Sequence, residues 1–170
     1  SQFYALSVDP DDPDVVLAAT NQGLLATGDG GATWEVRIAD PGLIAVTEVV
    51  RAPTDPNRLY AAAWCRTGCP PGLDRIMRSD DRGLTWQPAS AGMPAVALAA
   101  PELNRAAVAV APLDADLLYA ALNVTETIDG VPAARILRSV DGGASWQDTG
   151  YEGYYLGFQG WYDNALTVAP

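Results

Sequence analysis

The sequence predicts an all-β fold assembled from repeated four-stranded antiparallel units. Three observations carry this reading. An eight-residue motif recurs three times without gaps, an apolar segment and turn recur upstream of each copy, and no segment shows a convincing helical period.

The motif copies are Thr27-Gly28-Asp29-Gly30-Gly31-Ala32-Thr33-Trp34, Ser79-Asp80-Asp81-Arg82-Gly83-Leu84-Thr85-Trp86 and Ser139-Val140-Asp141-Gly142-Gly143-Ala144-Ser145-Trp146. Each reads Ser/Thr-x-Asp-x-Gly-x-Thr/Ser-Trp. Five positions held three times are far beyond chance.

Upstream of each copy, a strand ending in Pro leads through a turn into a second strand. Tyr4 to Pro10 precedes Asp11-Asp12-Pro13-Asp14 and Val15-Val16-Leu17-Ala18-Ala19. Val46 to Pro53 precedes Thr54-Asp55-Pro56-Asn57 and Arg58-Leu59-Tyr60-Ala61-Ala62. Ala106 to Pro112 precedes Leu113-Asp114-Ala115-Asp116 and Leu117-Leu118-Tyr119-Ala120-Ala121. Proline cannot donate to a ladder and closes the first strand, and the Asp/Pro/Asn cluster makes a tight turn. Third strands are expected at Gly23 to Thr27, Arg75 to Ser79 and Arg135 to Ser139, with a fourth beginning after each Trp. Short strands, regular turn signals and repeats of this length describe four-stranded β-propeller blades. The blades are expected at about 3–38, 45–90 and 105–150, and Trp161 to Pro170 starts a fourth. Such an arc is a partial propeller, since familiar propellers close with about four to eight blades. Further blades of the same parent protein, or other protein chains, are therefore the expected partners.

Turn chemistry explains the motif. The carboxylates of Asp29, Asp81 and Asp141 can accept backbone N–H bonds across the hairpin. Gly31, Gly83 and Gly143 supply the positive φ the turn needs. The hydroxyls of Thr33, Thr85 and Ser145 bond back to the same turn, while Trp34, Trp86 and Trp146 offer large rings for burial against a neighbouring strand. A catalytic or calcium site built from the three Asp residues is the alternative. It is disfavoured because one turn per blade spreads the carboxylates around a ring.

These motifs resemble the Asp-box (bacterial neuraminidase) repeat, and the likeness covers the whole chain. The run from a Val-Asp-Pro strand through Leu-Tyr-Ala-Ala to Arg-Ser-x-Asp-x-Gly-x-Thr-Trp is similar to the blades of secreted repeat proteins, xyloglucanase-type glycosidases and sortilin-like receptors. The resemblance implies that the Asp boxes lie on the blade rim, away from the binding face. It implies no active site: the sialidase Arg-Ile-Pro segment has no counterpart, the nearest string being Arg135-Ile136-Leu137.

Composition narrows the function classes. The net charge of −11, with ten Arg and no Lys or His, repels phosphate backbones and anionic lipid, which excludes nucleic acid as a partner. No run of about 18 apolar residues is present, so no membrane-inserting helix is expected. Absence of His removes the commonest general base and metal ligand, and no metal or cofactor is expected. Cys65 and Cys69 lack the two further soft ligands of a zinc site. A small-loop disulfide is favoured over two free thiols, and it would place the chain in an oxidising, extracellular or cell-surface setting. Ser1 opens no signal-peptide pattern, which fits a mature form or an excised piece.

Two segments on the face opposite the motif turns are unusual. One is Trp64 to Leu73, holding the Cys pair and Pro70-Pro71. The other runs from Tyr151 to Asp163 and concentrates six aromatics, among them Tyr154, Tyr155, Trp161 and Tyr162, beside Glu152 and Asp163. Rings beside carboxylates suit sugar stacking and hydroxyl recognition, making Tyr151, Glu152, Tyr154, Tyr155, Trp161, Tyr162 and Asp163 the ligand-binding candidates. Burial against a next blade or another chain is the competing reading. Asn123-Val124-Thr125 has the glycosylation acceptor form.

The expected function is a secreted or surface-exposed, non-catalytic interaction or structural propeller segment that binds glycan or protein. The alternative is a fragment of a glycoside hydrolase with Glu152 or Asp163 in its carboxylate pair, which needs carboxyls about 5 Å or 6.5–9.5 Å apart.

Overall fold

A computed structural model of the protein describes residues 2–39, 43–65, 75–93, 105–128, 131–151 and 165–169. The fold is all-β, with no helix among the described residues. Among the described residues, twelve strands form three four-stranded antiparallel sheets, each wound in sequence order. Blade 1 holds β1 (Phe3–Val8), β2 (Val16–Thr20), β3 (Gly23–Thr27) and β4 (Glu35–Ile38). Blade 2 holds β5 (Leu43–Ala52), β6 (Asp55–Cys65), β7 (Ile76–Ser79) and β8 (Gln87–Pro88). Blade 3 holds β9 (Ala106–Ala111), β10 (Asp114–Ile128), β11 (Val131–Ser139) and β12 (Gln147–Asp148). This is a partial β-propeller.

The register repeats from blade to blade. Leu6 pairs with Ala18, Val49 with Ala61, and Val108 with Ala120. Each second strand lies inside its sheet with most of its residues buried, which goes with its Ala-rich, near-continuous apolar run. Ala18, Ala19, Ala61, Ala62, Ala120 and Ala121 are all fully buried, and the missing bulk lets adjacent sheets approach. The core lies between the blades. Leu17, Ala19 and Leu24 of blade 1 pack on Val49, Leu59 and Met77 of blade 2. Tyr60, Ala62 and Ile76 of blade 2 pack on Val108, Leu118, Leu137 and Trp146 of blade 3.

Two features differ from the sequence expectation. Blade 3's central hairpin runs past Arg135, with Thr127 opposite Pro132 and Ile128 opposite Val131. The alternating, β-branched run Val124-Thr125-Glu126-Thr127-Ile128 favours that extension, and it carries Asn123-Val124-Thr125 within the strand. The motif tryptophans also diverge. Trp146 is buried and Trp86 half-buried, but Trp34 is 39% exposed. Each motif turn packs on the blade before it, and nothing among the described residues lies before blade 1. No described helix is long and apolar enough to cross a membrane.

Candidate functional site

The three Asp turns share one geometry. Oδ1 of Asp29, Asp81 and Asp141 accepts the backbone N–H of Thr33, Thr85 and Ser145, each at 2.8 Å. Oδ2 accepts the hydroxyl of the same residue, at 2.6, 2.6 and 2.5 Å. The hydroxyls of Thr27, Ser79 and Ser139 donate to Oδ1 from the strand before, and each accepts the N–H of Gly31, Gly83 or Gly143. Those glycines have φ of 93°, 89° and 87°.

These donors stabilise the charged form. The Thr33 hydroxyl leads the set that pulls Asp29 down to about 2, and the Ser145 hydroxyl does the same for Asp141. Such carboxylates stay ionised with both oxygens occupied. They brace the turn and are poorly suited to general acid–base work.

The Asp turns and the β1–β2 type turns lie together. Gly30, Arg82 and Gly142 each donate their N–H to the carbonyl of Asp14, Asn57 or Asp116. Polar ties between blades collect at this end. Arg82 bridges from blade 2 to Asp9 at 3.1 Å and Asp11 at 2.6 Å. Arg58 bonds Asp80 and Asp116. The Tyr60 hydroxyl donates to the carbonyls of Ala115 and Gly142, and Arg78 donates to Gly142 O. Burial pushes Tyr60 up to about 12, so it remains a donor.

At the other end of the blades, Tyr151 follows β12 and is 39% exposed. Glu152, Tyr154, Tyr155, Trp161, Tyr162 and Asp163 lie outside the described residues, as do Cys69 and the side chain of Cys65. The structure thus locates only the start of the aromatic segment.

One functional-looking group escaped the sequence reading. Glu48 sits on the first strand of blade 2, at the position of Ala5 and Ala107 in the other blades. Its Oε2 accepts the N–H of Val108 at 2.6 Å, tying blade 2 to blade 3. Burial pushes its carboxyl up to about 7, outweighing that hydrogen bond and the charge of Arg105. A signal was present: Glu48 interrupts the apolar run from Val46 to Val50.

A shallow groove of about 420 Å³ lies where the blade 2 Asp turn meets the outer strands of blade 1. Leu17, Ala26 and Leu84 line it together with Asp29, Glu35, Arg37 and Arg82. Among the described residues, no three His, Cys, Asp or Glu side chains converge to hold a metal ion.

No protein-family description matches this chain, and no curated protein does. Solved structures do. The chain is similar to the GH74 xyloglucanase from Xanthomonas campestris, with 19% identity and a TM-score of 0.43, covering 84% of this chain and 29% of that one. It is similar to the GH74 enzyme of Niastella koreensis at 17% identity and 0.39, covering 84% and 28%. It is also similar to YCF48, solved bound to D1 peptide, at 19% identity and 0.48, covering 87% and 40%. The chain therefore spans well under two thirds of each, and at these identities the likeness speaks to the fold alone.

Proposed function

We propose that this chain is a segment of a non-catalytic, surface-exposed interaction propeller of the Asp-box type, whose ligand face lies opposite the Asp turns. The supporting observation is Tyr151. It follows β12, is 39% exposed, and leads directly into the aromatic segment. The Asp turns, by contrast, are consumed by their own hydrogen bonds. Aromatic residues close in sequence to Glu152 and Asp163 suit a neutral glycan or a peptide, and an extracellular or cell-surface setting goes with a Cys65–Cys69 disulfide.

The test titrates the chain with neutral oligosaccharides and with peptides, following aromatic fluorescence. Saturable binding should weaken at least about tenfold in Tyr154→Ala and Tyr155→Ala with the melting midpoint unchanged, a loss equivalent to roughly 1.4 kcal/mol. Alkylation of the unreduced chain should leave its mass unchanged. Binding that survives both substitutions would remove the aromatic segment from the reading.

A glycoside hydrolase fragment is the second reading, and Glu48 favours it as a carboxyl still protonated near neutral pH. Reducing ends should then accumulate with a polysaccharide substrate, and Glu48→Gln, Glu152→Gln or Asp163→Asn should stop them.

A further inference from the structure

The two blade interfaces share one register but are packed differently at the end where the Asp turns lie. Between blades 2 and 3, the space behind the turn is filled by Arg58, Tyr60, Arg78 and Asp80. Asp80 holds both guanidinium groups, Arg58 at 3.0 Å and Arg78 at 2.7 Å. Arg78 and the Tyr60 hydroxyl also donate to Gly142 O. Between blades 1 and 2 the same positions are Val15, Leu17, Ala26 and Gly28. All four are shorter, and all four line the groove of about 420 Å³. The groove is therefore the volume that an arginine network and a phenol occupy one blade further on.

The acceptors of that network persist in part. Arg82 takes the motif position of Gly142, and the side chains of Leu17 and Ala26 cannot give its carbonyl the bonds that Tyr60 and Arg78 give Gly142 O. Glu35 takes the register position of Gln87, whose amide donates to Asp80. It holds one guanidinium, Arg37 at 3.1 Å, with its side chain 72% exposed, whereas Asp80 holds two.

Charge favours a cation in this space. Both arginines on the groove are already matched, Arg37 by Glu35 and Arg82 by Asp9 and Asp11, and Asp29 adds a carboxylate kept ionised by its own turn. With Arg51, which shares Asp9, four carboxylates stand against three guanidinium groups, in a chain of charge −11. Leu17 and the exposed Leu84 supply apolar wall for the methylene stem of a long side chain. Arg37 Nε is buried with no acceptor among the described residues, and a peptide carbonyl beside that side chain can supply one.

We propose that this groove is a docking slot for an arginine side chain of a partner peptide, its guanidinium shared between Glu35 and the carbonyl of Arg82 and its stem laid on Leu17 and Leu84. Lysine fits less well, since an ammonium lacks the planar fork that meets a carboxylate and a second acceptor together. The slot lies among the Asp turns, at the opposite end of the blades from Tyr151. It is a second surface, and its failure leaves the proposed ligand face untouched.

Calorimetric titration of the full chain with the blocked tripeptide acetyl-Ala-Arg-Ala-amide, and with its lysine and citrulline analogues, tests the slot. The arginine peptide should bind saturably at about 0.01 to 1 mM and more weakly as salt is added. Uncharged citrulline should bind about tenfold more weakly or not at all, and lysine should fall between. Glu35→Gln, at an exposed position, should weaken the arginine peptide about two- to fivefold. Gly28→Asp gives blade 1 the carboxylate that Asp80 gives blade 2, at a site where a Cβ meets nothing within 4 Å. It should tighten binding by a similar factor of about two to five. Ala26→Arg puts the guanidinium of Arg78 into the slot and should abolish binding without lowering the melting midpoint, and Leu17→Tyr replaces it if that chain fails to fold. No binding up to about 1 mM, equal binding of the arginine and citrulline peptides, or affinity indifferent to Glu35→Gln or Gly28→Asp would each overturn the proposal. So would binding that survives Ala26→Arg but is lost in Tyr154→Ala, which would move the peptide to the aromatic segment.

Discussion

The carboxyl groups of this protein titrate at opposite extremes for local reasons, and the pH dependence of stability follows. Asp29 and Asp141 are held at about 2 by hydroxyl and amide donors, below the usual 3.8. Their contribution is complete above about pH 4 and is lost as pH falls toward 2. Glu48 runs the other way. Its folded value of about 7 exceeds the usual 4.5, so the folded state holds a proton that the unfolded state has released. Stability therefore falls as pH rises from about 4.5 to 7 and levels off above. Glu48→Gln keeps an acceptor for Val108 N–H and removes the charge. The variant's melting midpoint should stay level across that window while the wild type declines, with a difference of roughly 2–3 kcal/mol at pH 8. Equal slopes in the two proteins would show that Glu48 titrates normally.

Within a blade, the Asp turn is a self-contained element whose surroundings change with position. Gly31 and Gly83 have nearly the same φ, 93° and 89°, so an Ala at either meets the same left-handed penalty of about 1–2 kcal/mol. Their neighbours differ. A Cβ on Gly83 would stand 2.6 Å from Leu17 of blade 1, whereas one on Gly31 would meet only its own Trp34 at 3.7 Å. Urea titration should therefore find Gly83→Ala more destabilising than Gly31→Ala by about 1 kcal/mol or more, the cost of overpacking an interface. Equal losses would mean that the turns do not support the blade contact. Arg82 takes φ of 63° without being Gly; its bridges to Asp9 and Asp11 hold that backbone in place.

At the scale of the whole molecule, stability is divided between blade interfaces. The two apolar clusters each draw on a pair of adjacent blades, as in other repeat architectures where each unit contacts its neighbours. Among the described residues, the face of blade 1 turned away from blade 2 stays largely exposed. Trp34 makes this visible: its motif is the same as that of Trp146, it is ten times more exposed, and its N–H turns back to Gly31 O where Trp146 reaches Ala89 O of the preceding blade.

The all-β class, the strand order within each blade and the turn chemistry were legible in sequence, because they depend on short-range facts. Alternation, Pro-closed strands, left-handed glycines and a carboxylate four residues from its hydroxyl donor all act within one hairpin. The pairing of blades was not legible in the same way. Whether a motif Trp is buried, whether Glu48 is charged, and whether a repeated face is covered depend on atoms some 50 or more residues away, brought close only when one sheet lies on the next. Glu48 and Val108 are 60 residues apart and 2.6 Å from each other. Local sequence determined what each blade is, and packing decided which copies of the same residues became core, proton holder or open surface, since burial belongs to a neighbour and not to the residue itself.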